Sequence, residues 1–205
     1  MRAAMLIVTM EPPATLEEEF NDWYDTEHFP QRRALPGFLS ASRWVCLDGW
    51  PRYLALYDLA STGALATAEY RAVSGANSTP WSLRVLPRTV GRQRLFGESL
   101  GDGERIGIDK GDPIAADAVR LLLASWPATA PAPVDTLAER IRAAAGDLPG
   151  VRQISLVRTG GEQAEIWLIA AFDYPATLEH LAILHRVQAV GARTFNLYAP
   201  YLRQR

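Results

Sequence analysis

Short apolar runs recur along the chain. AMLIVTM stands near the start, LSASRWVCL and YLALYD follow, and AVRLLLASW, RQISLVR and WLIAAFD return in the latter half. Most are apolar at both alternating positions, which predicts strands covered on both faces. Between them lie stretches with apolar residues three and four apart, the mark of a helix with one buried stripe. Leu16, Phe20 and Trp23 form such a stripe in the first of these. TGALATAEYRAV from Thr62 and TLEHLAILHRVQAV from Thr177 predict two more helices, and GRQRLFGES and ARTFNLYAPYL two closing strands.

The pattern is written twice. LPGF (35–38) and LPGV (148–151) each follow a helical stretch and lead into a strand. In each half the next strand ends on an aromatic–aspartate pair, at Asp58 and at Asp173, and Tyr70-Arg71 matches His185-Arg186. The order is β-α-β-β-α-β in both halves, the ferredoxin-like motif of the α+β class. The halves are expected at residues 1–100 and 114–205, joined by a glycine- and charge-rich linker at 101–113. Two helices cover one face of each four-stranded sheet, so the other face needs a partner. The expectation is that the tandem ferredoxin-like halves pack sheet to sheet as a fused dimeric α+β barrel. The alternative is a homodimer in which a second chain completes the barrel.

Composition narrows the class. The net charge is −2, with 23 acidic residues interspersed among 21 basic ones, so neither nucleic acid nor an anionic membrane is an expected partner. Lys110 is the one lysine; the arginine bias is compositional, because no basic stripe accompanies it. One cysteine, Cys46, excludes an intrachain disulfide framework, and no apolar stretch nears the ~20 residues that span a bilayer. A cytoplasmic protein without a signal peptide is expected.

The halves differ in one place. Both first helices open on a capping box, Thr15-x-x-Glu18 and Thr136-x-x-Glu139, but the path from Thr15 to Gly37 is eight residues longer than that from Thr136 to Gly150. The surplus falls in NDWYDTEHFPQRRALPG. On a helix Asn21, Tyr24, Asp25 and His28 share a face beside the core stripe. Pro30 disfavours helix at Phe29 and so predicts His28 in the last turn, where the macrodipole favours an imidazolium and Asp25 can orient the ring. That placement suits a general acid–base group titrating near neutral pH. The competing reading makes His28 a plain cap of the last carbonyls.

The stretch FNDWYDTEHFPQRRALPGFLSASRW resembles the signature of the EthD-like family of dimeric α+β barrels, and PRYLALYDL and PWSLRVLPRTVGRQRL resemble that family's third strand and final helix–strand segment. The resemblance covers about residues 1–97; the second half shares the fold pattern without the histidine segment. It implies a cleft for flat hydrophobic substrates and a histidine acting as acid or base. Relatives in the superfamily include cofactor-free cyclases, dehydratases, isomerases and small monooxygenases.

The expected function is therefore a cofactor-independent lyase, isomerase or cyclase acting on a small hydrophobic, aromatic or polyketide-like molecule. His28, Asp25 and Tyr24 are the candidate catalytic residues; Asn21, Trp23, Arg43, Tyr57 and Trp81 are the candidate substrate-binding residues. Arg43, on a central strand, needs either a core carboxylate such as Asp58 or an anionic substrate. Trp81 follows Pro80 at the start of a short helix capped by Ser78 or Thr79. No metal site is expected, since His180 and His185 are five apart on a helix. Two alternatives stand: a non-catalytic small-ligand binding protein, and a cofactor-free or haem-assisted oxidoreductase. For the latter, some chains with two such halves bind haem through a second-half histidine, for which His185 is the candidate.

Overall fold

The computed structural model describes residues 3–100, 118–128, 134–161, 164–185, 187 and 191–203. The linker expected at 101–113 lies outside them, as does Arg186. Among the described residues eight strands close into one barrel. They are β1 (Ala4–Glu11), β2 (Phe38–Asp48), β3 (Tyr53–Leu59), β4 (Val90–Ser99), β5 (Arg120–Pro127), β6 (Val151–Thr159), β7 (Glu165–Phe172) and β8 (Thr194–Pro200). Around the barrel the order is β1-β3-β2-β8-β5-β7-β6-β4, with every pairing antiparallel. Each half has the ferredoxin-like order, with its first strand between its third and fourth. The barrel closes within one chain, as the duplicated pattern predicts.

Alternation along the strands explains the layers. Met5, Ile7, Trp44, Leu54 and Leu56 point inward and meet Leu121, Leu123, Trp167, Ile169 and Tyr198 from the other half. Neither sheet could bury this face alone; each supplies the apolar surface the other requires. The opposite faces carry helices. In the second half α5 (Val134–Gly146) sets Leu137, Ile141 and Ala145 against Trp126, Leu168 and Phe172. In the first, α1 (Glu17–Trp23) seats Phe20 and Trp23 on Tyr53, Ala55 and Tyr57.

The halves are also joined at their edges, which sheet-to-sheet packing alone does not require. One seam pairs Trp44–Asp48 of β2 with Leu197–Pro200 of β8; the other pairs Gly97–Ser99 of β4 with Val157–Thr159 of β6. These bonds leave no open sheet edge along the barrel.

Local expectations fare unevenly. Thr79 caps α4 (Pro80–Val85), its hydroxyl accepting from Ser82 N at 3.1 Å, as expected. The two capping boxes do not form. Pro13 opens a 3₁₀ turn, Ala14–Leu16, that takes in Thr15, and Thr136 lies inside α5, which already runs from Val134. The helix expected from Thr62 splits into a 3₁₀ segment (Thr62–Ala66) and α3 (Ala68–Ala72), because Thr67 is extended and caps the second piece. From Thr177 only α6 (Ala182–His185) is helical among the described residues.

Gly97 marks the tightest point of the shorter seam. A β-carbon there would lie 2.1 Å from the Arg158 carbonyl oxygen, a backbone atom that cannot swing away. Gly97→Ala is expected to destabilise the barrel by about 1–3 kcal/mol, the usual cost of overpacking. At this chain length that lowers the melting midpoint by roughly 2–12 °C. Thermal unfolding followed by circular dichroism checks this; an unchanged midpoint would mean the seam tolerates separation.

Candidate functional site

The first-half helix does not stop at His28. After α1 comes a π turn, Tyr24–His28, then α2 (Phe29–Arg33), all with helical dihedrals. The Phe29 N–H reaches back to the Tyr24 carbonyl, five residues earlier. This wider turn lets Pro30 continue the helix, since proline offers no N–H and its ring would crowd the carbonyl four residues before it. The expectation of a helix end at His28 is therefore overturned, and with it the macrodipole argument for an imidazolium.

His28 sits beside a cleft of about 140 Å³ between the helix and the outer face of the sheet. Leu6, Val8 and Met10 of β1 form its floor, Tyr57 of β3 and Leu86 its sides, and Tyr70 of α3 with Ser74 and Ser78 another wall. Arg32, one helical step past His28, and Arg92 and Arg94 of β4 complete it. β1 pairs Leu6 with both Tyr57 and Phe96, and Val8 with both Ala55 and Arg94, so floor and rim are set by register.

The imidazole is packed hard. Its ring lies 4.4 Å from the Trp23 indole and edge-on to Tyr24 at 5.2 Å. Nδ1 is buried without a hydrogen-bond partner, and the ring lines the cleft. Burial first, then the positive charges of Arg32 and Arg43, lower the His28 pKa to about 3. Near neutral pH the ring is uncharged, contrary to the expected titration there. It is not an imidazolium acid there, and as a base it is weaker than an ordinary histidine. Tyr57 is buried, and burial raises its pKa well above the usual phenol value, so its hydroxyl stays protonated and able to donate. Tyr24 backs it, the two hydroxyl oxygens 3.4 Å apart.

Three other candidates form a separate network. Arg43 ion-pairs with Asp25, donates to Asn21 Oδ1 at 2.9 Å, and lies between the rings of Tyr24 and Tyr201, 4.1 and 4.0 Å from their centroids. Tyr201 Oη also donates to Asp25, and Asn21 Nδ2 donates to Tyr53 Oη. Asp25 thus serves Arg43 and Tyr201, and no hydrogen bond joins it to His28: the expected orienting role is corrected. Arg43 takes Asp25 rather than Asp58, whose carboxylate accepts from Ser40. The network ties helix, β2 and the C-terminal segment together, away from the cleft.

The tryptophans are also structural. Trp23 is fully buried, its Nε1 donating to Ser82 and Glu27, and it supports His28 from behind. Trp81 donates to Glu19 and does not line the cleft. Of the eight expected residues His28 and Tyr57 line the site and Tyr24 backs it. Sequence reasoning missed Arg32, Arg92, Arg94, Tyr70, Ser74 and Ser78. Two signals pointed to the arginines: Arg32 is four residues past His28, and Arg92 and Arg94 alternate on one strand face.

His185, the candidate haem ligand, is exposed at the end of α6 and edge-on to Phe195 at 5.3 Å. Among the described residues no three His, Cys, Asp or Glu side chains converge as a metal site, and no helix is long and apolar enough to cross a membrane.

No family model matches the chain, and no curated protein matches it. Solved structures do. An anthrone oxidase-like protein superposes with TM-score 0.64 at 14% identity, covering 98% of this chain and 92% of its own. A protein assigned as a monooxygenase from Lactobacillus acidophilus gives 0.58 at 9%, covering 98% and 94%. A variant of chlorite dismutase from Candidatus Nitrospira defluvii gives 0.58 at 10%, covering 97% and 91%. At such identities the likeness establishes the fold, a dimeric α+β barrel with ferredoxin-like halves, and nothing about the reaction. An EthD family protein from Bacillus halodurans covers 49% of this chain at a TM-score of 0.35, too low to carry weight.

Two outcomes follow from the site. Unfolded His28 binds a proton near pH 6.5 and folded His28 only near pH 3, so its contribution is complete above about pH 6.5 and is lost as pH falls toward 3. Stability should decline by at most about 1.4 kcal/mol per pH unit in that window. His28→Gln should flatten that slope in urea titrations; an unaltered slope would show the ring to be charged already. Asp25→Ala strands the buried Arg43 and should cost about 3 kcal/mol, whereas Asp22→Ala on the exposed side should cost under about 1 kcal/mol. Equal losses in denaturant titrations would contradict the network.

Proposed function

We propose that the chain is a cofactor-independent enzyme of the lyase, isomerase or cyclase type, an EthD-like barrel acting on a small hydrophobic, aromatic or polyketide-like molecule. The observation that carries this is an uncharged imidazole and a protonated phenol lining one cleft with an apolar floor. A cavity near 150 Å³ accepts one benzene ring, so the cleft of about 140 Å³ suits one ring, with the rest of a larger substrate projecting from its mouth.

His28 Nε2 takes a proton from the carbon next to a carbonyl, or from a phenolic oxygen. The electron pair stays on the substrate as an enolate or phenolate, and the Tyr57 hydroxyl donates to its oxygen. Return of the proton to another carbon gives isomerisation, departure of a leaving group gives elimination, and attack on a second carbonyl gives ring closure. Tyr24 and Asp25 are positioning residues here: Tyr24 supports Tyr57, and Asp25 acts through Arg43. Cys46, free and half-buried, suits a reducing compartment, and we read the enzyme as cytoplasmic.

A second reading is favoured by two neighbours described as an anthrone oxidase-like protein and a monooxygenase. The same carbanion, with dioxygen as oxidant, would make the protein an oxidoreductase. Both readings share the proton abstraction.

Exchange of carbon-bound hydrogen for deuterium tests that shared step on a panel of anthrones, cyclic 1,3-diketones and aryl ketones. The native protein should catalyse exchange, and His28→Ala should slow it by about 10²–10⁴ while the fold persists. Oxygen uptake with the same compounds separates the oxidative reading. Equal exchange by the variant defeats the assignment; tight binding with no exchange marks a carrier protein.

A further inference from the structure

Two arginines of the first half are buried, and they are treated differently. Arg43 is 8% exposed and has the Asp25 carboxylate. Arg32 is 7% exposed, and its partners are neutral: Nη1 donates to Ser74 Oγ at 3.0 Å and Nη2 to the Val73 carbonyl at 2.9 Å. Its charge also lies over the Tyr70 ring, 5.2 Å from the centroid. Among the described residues no carboxylate pairs with it. Burying a guanidinium without a counter-charge is costly, and neutral acceptors with one aromatic face offset only part of that cost.

The surroundings add to the imbalance. Arg94 donates to the Tyr70 hydroxyl at 2.8 Å, and with Arg92 it lines the mouth of the same cleft. Neither is ion-paired among the described residues. Three guanidiniums thus line one cleft with no acidic side chain among them, while its floor is apolar. The titratable groups facing Arg32 are His28, Tyr57, Tyr24 and Tyr70, none of them a carboxylate, and Arg94, a like charge.

We infer that the ligand of this cleft is an anion, an aromatic or conjugated carboxylate whose ring rests on the apolar floor and whose carboxylate pairs with Arg32, Arg92 and Arg94. This deepens the proposed function and rests on the same cleft. A planar guanidinium matches a carboxylate through paired N–H donors, and Ser74 and Ser78 stand nearby. A compact inorganic anion would meet the charges but leave the apolar floor unused. The ligand then supplies the counter-charge that Arg32 lacks, and the three guanidiniums draw anionic molecules to the mouth.

Ligand-observed NMR and calorimetric titration of the full chain, at constant ionic strength, test this with benzoate, the neutral isostere benzamide, and inorganic phosphate. Benzoate should bind at least tenfold more tightly than benzamide, and phosphate more weakly than benzoate. Arg32→Gln should reduce benzoate to the level of benzamide. Arg94→Gln, at an exposed position that spares the fold, should erode the preference several-fold. Equal binding of benzoate and benzamide overturns the inference while leaving the aromatic cleft and its proton chemistry standing. Phosphate binding as tightly as benzoate, or a preference that survives both substitutions, also overturns it. Failure of benzoate and benzamide alike to bind ends both this inference and the reading of the cleft on which it rests.

Discussion

One widened helical turn sets the geometry on which the first half depends. Pro30 stands where an ordinary α-helix would have to break, and the π turn from Tyr24 to His28 lets the chain continue. Two consequences follow from that continuity. His28 lies in the middle of a helix packed against Trp23 and Tyr24, where its charge is disfavoured, and Arg32 follows on the same face. Had the helix ended at His28, the ring would sit near free carbonyls and Arg32 would belong to a loop. The local backbone thus decides both the protonation state of the imidazole and the company it keeps.

The barrel explains how one half can carry this cleft. Closure within the chain fixes the inner faces: each sheet fills the space the other leaves, so the interior is apolar core from both halves. The outer faces are free to differ. In the second half a plain helix packs Leu137 and Ile141 against Trp126 of the sheet. In the first, the longer segment carries the helix on through the π turn to Arg33, and a cleft lies beside it over β1. A duplicated fold can carry its chemistry in one copy because the shared barrel stabilises both.

The fold could be read from the sequence because period and repetition are redundant signals. LPGF and LPGV, and the aromatic–aspartate pairs at Asp58 and Asp173, mark equivalent points, and strands recur between them. The site was only half readable. His28 and Tyr57 stood out as residue types on the right elements. Asp25 and Arg43 did so as well, yet they satisfy each other, and a sequence does not say which charges pair. Arg32 was hidden by Pro30, whose usual meaning is the end of a helix; the exception depends on a backbone turn with no residue signature of its own. Arg92 and Arg94 were hidden by exposure, since arginine on a strand face is ordinary until a cleft is found beside it.

The central claim is that His28 is an uncharged ring held beside a cleft with an apolar floor. Nitrogen-15 NMR of the imidazole side chains measures this directly, because ring-nitrogen shifts report charge and tautomer, and the chain has 3 histidines. The account predicts a neutral His28 ring from pH 5 to pH 8, with its resonance identified by its loss in His28→Gln, while a histidine titrating normally changes charge near pH 6.5. A His28 signal that gains a proton near pH 6.5 would contradict it, since burial beside Arg32 would then not govern the ring.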